Sequence, residues 1–308
     1  MKGQYFLNKR TIAGFEEAAR YFEQAVAKDP NYARAYAGLA DAYALTSGYS
    51  ARPQSEFMPK ARAAALKALE LDGSMAEAHT ALALIVQTYD SDWQTAEHEF
   101  RRAIELNPNY ATAHHWYAEH LMWRGRFDEA LQESEQARQL DPLSLIIAAD
   151  NGAILYYSRQ YDRAIEKWRS VREMDPEFPR AYLILDAYVE KKMFTDAVTE
   201  IEHVRRIAPP AWYWANAAYV YGRSGQSERA QQALSELLRL NNNGKIDPMT
   251  VADAYAGMKD REQTIAWLEK AYTQHSPELV TLKVDPRFDD VRGEPRFQDL
   301  LRRVGLAQ

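Results

Sequence analysis

Tyr161-Asp162-Arg163-Ala164-Ile165-Glu166-Lys167-Trp168-Arg169-Ser170-Val171-Arg172-Glu173-Met174-Asp175-Pro176 is the stretch on which the fold turns. Ala164, Trp168 and Val171 are spaced by four and then three residues, which puts them on one face of a helix. The small residue lets a neighbouring helix approach, and the large one fills the space beside it. Asp175-Pro176 closes the segment, because proline disfavours helical backbone in the residue before it and supplies no N–H to continue the ladder. The arrangement recurs at Ala18/Phe22/Ala25 before Asp29-Pro30, at Ala96/Phe100/Ala103 before Asn107-Pro108, and at Ala130/Ser134/Ala137 before Asp141-Pro142. From Pro108 through Pro142 and Pro176 to Pro209 the intervals are 34, 34 and 33 residues. Six residues after a proline a second apolar stripe opens, as in Tyr36/Leu39/Ala40/Tyr43 and Tyr182/Leu185/Val189, so each unit reads as two amphipathic helices.

A 34-residue helix-turn-helix with aromatic, Leu, small and Tyr positions in its first helix and Ala, Phe, Ala, Pro in its second resembles the tetratricopeptide repeat. The resemblance implies an all-α fold, a right-handed superhelix (α-solenoid) of about eight helix pairs with a C-terminal capping segment. Extending the phase closes the pairs near residues 30, 73, 108, 142, 176, 209, 242 and 276, so the array takes 1–276 and the cap 277–308. The second unit carries Gly73 in the proline position and an insertion, Thr46-Ser47-Gly48-Tyr49-Ser50-Ala51-Arg52-Pro53-Gln54, which is expected to project as a longer loop. Asn241-Asn242-Asn243-Gly244, with Asp247-Pro248 arriving late, predicts a looser connection between units seven and eight. After residue 277 the repeat gives way to a doublet, Val284-Asp285-Pro286-Arg287-Phe288 and Gly293-Glu294-Pro295-Arg296-Phe297, each with proline where a helix would start.

Particular strings narrow the resemblance. Ala35-Tyr36-Ala37-Gly38-Leu39-Ala40-Asp41-Ala42-Tyr43, Ala76-Glu77-Ala78-His79, Trp93 ahead of Ala96-Glu97, Asn109-Tyr110-Ala111-Thr112-Ala113-His114-His115-Trp116 and the terminal doublet are similar to a bacterial tetratricopeptide family. In that family the array is commonly the C-terminal half of a signalling protein, behind a Ser/Thr kinase, winged-helix or nucleotide cyclase domain. The opening Gly3-Gln4-Tyr5-Phe6-Leu7-Asn8-Lys9-Arg10-Thr11 resembles an interior stretch of such proteins, which implies a fragment or a single-module relative with a covalently linked output domain in the full-length protein. The catalytic motifs of those partner domains do not occur in the sequence.

Composition bounds the chemistry. Of 308 residues, 38 are Lys or Arg and 44 Asp or Glu, a net charge of −6, and none is Cys, so disulfides, thiolate metal sites and a cysteine nucleophile are excluded. The acidic balance offers no long-range attraction to phosphates, and nucleic acid is not expected as a partner. The longest near-apolar stretch, 211–221, is about half of the roughly 20 residues that span a bilayer, and the N-terminus lacks an apolar signal core; a cytoplasmic protein without a membrane segment is expected. Phosphate-binding glycine loops are missing, Gly222 and Gly225 being the nearest approach. His115 and Glu119 share a helical face, but two ligands do not make a metal site, and His79 and His114 fall at the aromatic packing position of their repeats. Asp92 and Asp128 precede or open second helices as caps or first-turn charges. No catalytic residue, cofactor or metal is expected.

The resemblance implies a concave groove lined by first helices, with ligand-facing residues between the packing positions. Carried over, these are Glu77, Thr80, Leu84 and Gln87; His115, Glu119 and Met122; Ala149 and Tyr156; Arg180, Leu183 and Glu190; Trp212 and Tyr219; and Asp253. Trp212 and Tyr219 are expected as exposed anchors that a partner buries without help from the fold. A two-carboxylate clamp of the chaperone-binding kind is not assembled by Arg34, Glu77, His115, Asp150 and Arg180. The charge around Glu77, Glu119 and Asp150 leans negative and favours a basic or apolar segment. The function expected is a non-enzymatic protein-interaction scaffold binding a peptide or partner segment in the groove. The alternative is a ligand-sensing regulatory module cut from a kinase, transcription regulator or cyclase.

Overall fold

A computed structural model describes residues 2–50 and 52–307; Ala51, inside the expected insertion, lies outside the described residues. All regular structure among them is helical. Residue contacts divide the chain into Met1–His120 and Leu121–Gln308. In the first unit, α1 (Lys2–Leu7) pairs with α2 (Ile12–Lys28), α3 (Ala33–Tyr49) with α4 (Gln54–Leu71), and α5 (Ala76–Tyr89) with α6 (Trp93–Leu106), before α7 (Ala111–Trp123) begins. In the second, α8 (Phe127–Leu140) is followed by α9 (Leu145–Tyr157) with α10 (Tyr161–Met174), and by a 3-10 turn, Pro179–Leu183, running into α11 (Ile184–Glu190). Then come α12 (Phe194–Val204), α13 (Pro210–Arg223) with α14 (Ser227–Leu240), and α15 (Pro248–Gly257) with α16 (Arg261–Thr273). Two 3-10 turns, Pro277–Thr281 and Pro286–Phe288, and α17 (Pro295–Arg303) complete it. Among the described residues no helix is long and apolar enough to cross a membrane.

The Asp-Pro and Asn-Pro steps work through the acid or amide more than through the proline. The side chains of Asp29, Asp72, Asn107 and Asp175 each accept from the backbone N–H two residues on, at 3.0–3.1 Å, and so turn the chain into the next first helix. Asp72 makes this bond beside Gly73, which is why the second unit tolerates losing its proline. Six residues past the turn the bulky side chain reaches back to the turn carbonyl: His79 to Gly73 at 3.2 Å, His114 to Pro108 at 3.0 Å, Tyr182 to Pro176 at 3.3 Å. Both histidines thus serve the packing role expected of them. Asp92 caps α6 by accepting from Thr95 N at 3.0 Å.

Within a pair, a missing side chain on the first helix makes room for a ring on the second. A Cβ on Gly152 would stand 2.6 Å from Trp168 Nε1, the indole that donates to Ala149 O at 2.9 Å. Ala164 and Val171 are fully buried beside Trp168, on the stripe that the sequence marks.

The insertion does not form a projecting loop. α3 continues to Tyr49 and α4 starts at Gln54, so that most of the insertion is helical. Thr46 satisfies its hydroxyl inside the helix by donating to Ala42 O at 2.7 Å, and Pro53 stands at the N-cap of α4, where its missing N–H costs nothing. The extra residues lengthen both helices instead.

Candidate functional site

In each unit first helices lie beside one another, and the side they share is called its inner face: α3 beside α5 in the first unit, α11 beside α13 and α13 beside α15 in the second.

On the first unit's face Glu77 and Leu84 of α5 and Glu119 of α7 remain partly exposed. Thr80, Gln87 and His115 are buried, a correction to the groove set. Thr80 donates to Ala76 O at 2.9 Å, and Gln87 Oε1 stands 2.6 Å from His120 Nδ1 between α5 and α7, so both belong to helix packing. One residue of this unit departs from ordinary chemistry without any sign of it in the sequence. Asp41, on α3, is 8% exposed, and its Oδ1 is buried without a hydrogen-bond partner. Loss of water pushes its carboxyl up to about 8; Arg10 partly opposes this, and Glu77 adds to it. The same field reaches Tyr110, whose hydroxyl is raised first by burial and then by Asp41.

The second unit's face is filled by the chain itself. Arg287 comes off the Asp285-Pro286 turn and places Nε and Nη2 on the Asp285 carboxylate at 2.7–3.2 Å and Nη1 on Asp253 Oδ2 at 3.0 Å. Its side chain is 15% exposed. Asp186 of α11 and Asp253 of α15 are driven up to about 7 and 8 by burial, with Arg287 drawing both down. Oδ1 of each, and the Tyr156 hydroxyl, lack a hydrogen-bond partner. Residues past 277 then run back along the unit. Arg223 pairs with Asp290 at 2.9 Å, Arg159 reaches Val284 O at 2.8 Å and Asp289 at 2.9 Å, and Arg124 donates to Gly305 O at 3.1 Å. Leu282, Phe288, Phe297 and Leu300 are fully buried; at roughly 1.5–3 kcal/mol for each such side chain, this segment is core and not a loose cover.

Of the groove candidates, Asp253 is bonded to Arg287, and Tyr156, Glu190 and Tyr219 feel the charge of Asp285 or Arg287. Tyr219 is 1% exposed and donates to Glu190 Oε1 at 2.9 Å. It is a packing residue, not an exposed anchor, because helical spacing tells which residues share a face and not what lies over it. Tyr156, Met122 and Ala149 are likewise buried; Leu183 and Trp212 stay partly exposed, and Arg180 pairs with Asp150 at 2.6 Å. The sequence signal for the covering residues is the Pro-Arg-Phe doublet at 286–288 and 295–297, whose terminal position marks a cap without telling what it covers.

Three stretches match tetratricopeptide repeat families: residues 10–49, 88–149 and 213–243. The chain carries tetratricopeptide repeats on the α-solenoid fold. Among curated proteins, transcriptional regulator HilA of Salmonella typhimurium is 30% identical over 165 residues, 54% of this chain and 30% of that protein. Type IV pilus assembly protein PilF of Pseudomonas aeruginosa is 36% identical over 100 residues, 32% of this chain and 38% of PilF. The chain thus spans well under half the length of these relatives. Among solved structures, a human IFIT1 dimer with m7Gppp-AAAA superposes with a TM-score of 0.66 at 17% identity, covering 96% of this chain and 68% of that one. The Cut9 and Hcn1 hetero-tetramer of the APC/C gives 0.62 at 16% identity, covering 94% and 52%. At these identities the likeness is one of fold.

Proposed function

We propose that this chain is a non-enzymatic protein-interaction scaffold that takes a segment of a partner protein on the inner face of its first unit. Tetratricopeptide repeats generally serve protein-protein association, and function has to be argued from the surface each one leaves open. The observation that carries the reading is the contrast between the two faces. Residues 277–307 cover the second with fully buried Leu282, Phe288 and Leu300, whereas Glu77, Leu84 and Glu119 keep part of their surface on the first. The strongly shifted carboxyls, Asp41, Asp186 and Asp253, owe their shifts to burial and none is paired with a nucleophile, which favours binding over catalysis.

A photo-crosslinking side chain placed at Glu77 should capture a partner in source cells, and the same group at Leu66, half exposed on the second helix α4, should not. Capture from Leu66 alone would move binding to the outer helices and end this reading. The HilA likeness supports a second one, a sensing module within a longer regulator, because the matched segment is only 30% of that protein. On that reading occupancy of the array changes the activity of an output domain in the full reading frame; a reporter indifferent to Glu77→Arg would count against it.

A further inference from the structure

The C-terminal segment displays the chemistry that an inner face of these repeats accepts. In the second unit a first-helix carboxylate, Asp253, accepts from an arginine delivered by a turn, Asp285-Pro286-Arg287-Phe288, whose charge also reaches the buried Asp186, and Phe288 of that turn is buried. The first unit has the acid without the arginine. Asp41 is buried on α3 with Oδ1 unpartnered, and among the described residues it makes no ion pair. Arg10, on the turn between α1 and α2, acts on it only through its field, and Glu77 of α5 adds negative charge from the neighbouring first helix. A buried carboxyl with no partner escapes the cost of its charge by keeping its proton, and a cation brought beside it lets it ionise and pair instead. Glu77, whose charge reaches Asp41, is itself partly exposed.

We propose that Asp41, with Glu77 as second carboxylate, anchors a binding site on the first unit's inner face for an extended protein segment bearing an arginine or lysine. The inference rests on the scaffold reading and names the partner's chemistry. The partner's cation takes the place at Asp41 that Arg287 takes at Asp253. Its flanking residues lie along α3 and α5, where Leu84, packed against the core, keeps part of its surface.

The test is selection of displayed random peptides on the full chain and on its Asp41→Asn variant. Selected peptides should share a Lys or Arg, and binding should weaken by roughly thirtyfold or more when Asp41→Asn is introduced or when the peptide's cation is replaced by Gln. Glu77→Gln, at a more exposed position, should give a smaller loss and decides the matter if Asp41→Asn folds poorly. Peptides without a shared cation, or affinities unmoved by these variants, would overturn the site while leaving the scaffold reading intact. Failure to enrich any peptide above a bare support would overturn both.

Discussion

Asp41 links the fold to the proposed site, because its ionisation is set by burial and its pairing is left open. An ordinary aspartate titrates near 4, and here the carboxyl is pushed up to about 8, mainly by loss of water. Between these values the folded chain holds a proton that the unfolded chain has released. Its contribution to stability is therefore full below about pH 4 and is lost as pH rises toward 8. Thermal unfolding followed from pH 5 to 8 should show the midpoint falling, and Asp41→Asn, which has no charge to desolvate, should flatten that fall and raise the midpoint at pH 8, a gain in stability of about 1–3 kcal/mol. A variant that melts lower with the same slope would mean the carboxylate is already satisfied. No pattern in the sequence singles out Asp41, which stands in a run of Ala, Gly and Leu; only the fold around it makes it unusual.

At the scale of elements, α13 and α15 touch backbone to backbone. A Cβ at Gly257 would stand 2.2 Å from Tyr219 Cα, and one at Gly222 would stand 2.6 Å from Gly257 O. The atoms in the way are main chain and cannot swing aside. Gly257→Ala should force the helices apart and cost about 3 kcal/mol, read as a lower denaturant midpoint; an unchanged midpoint would show that the pair can separate freely. The helix pairs themselves were legible, because Ala164/Trp168/Val171 and their counterparts repeat in residue type as well as in spacing. The turn inside each pair was not. Ser91, Gly125, Arg159, Lys192, Gly225 and Lys259 all adopt left-handed backbone at intervals of 33 or 34 residues, yet only two are glycine. The insertion misled for a related reason: Ser47-Gly48 and Pro53 are loop-forming residues in isolation, but a long α3 packed against a long α4 keeps 46–49 helical.

For the second unit as a whole, the repeat period announced that residues past 277 leave the array but could not say where they go. That is decided by contacts remote in sequence, such as Arg124 with Gly305 across 181 residues and Arg159 with Asp289 across 130. Helical spacing puts Tyr156, Glu190, Tyr219 and Asp253 at groove positions, but it does not tell that Tyr156 and Tyr219 are buried or that Asp253 is taken by Arg287 from the chain's own end. The division of labour proposed here, one inner face filled and the other open to a partner, depends on that end being as firmly held as the helices beneath it. Amide hydrogen exchange on the full chain tests this directly. Amides of 282–306, including those of Val284, Phe288 and Leu306 that donate to Thr281, Asp285 and Leu301, should open with the same free energy as those of α13 and α15. Fast exchange of 282–306 over a protected α13 and α15 would make the segment a removable cover, and the second unit's face a groove after all.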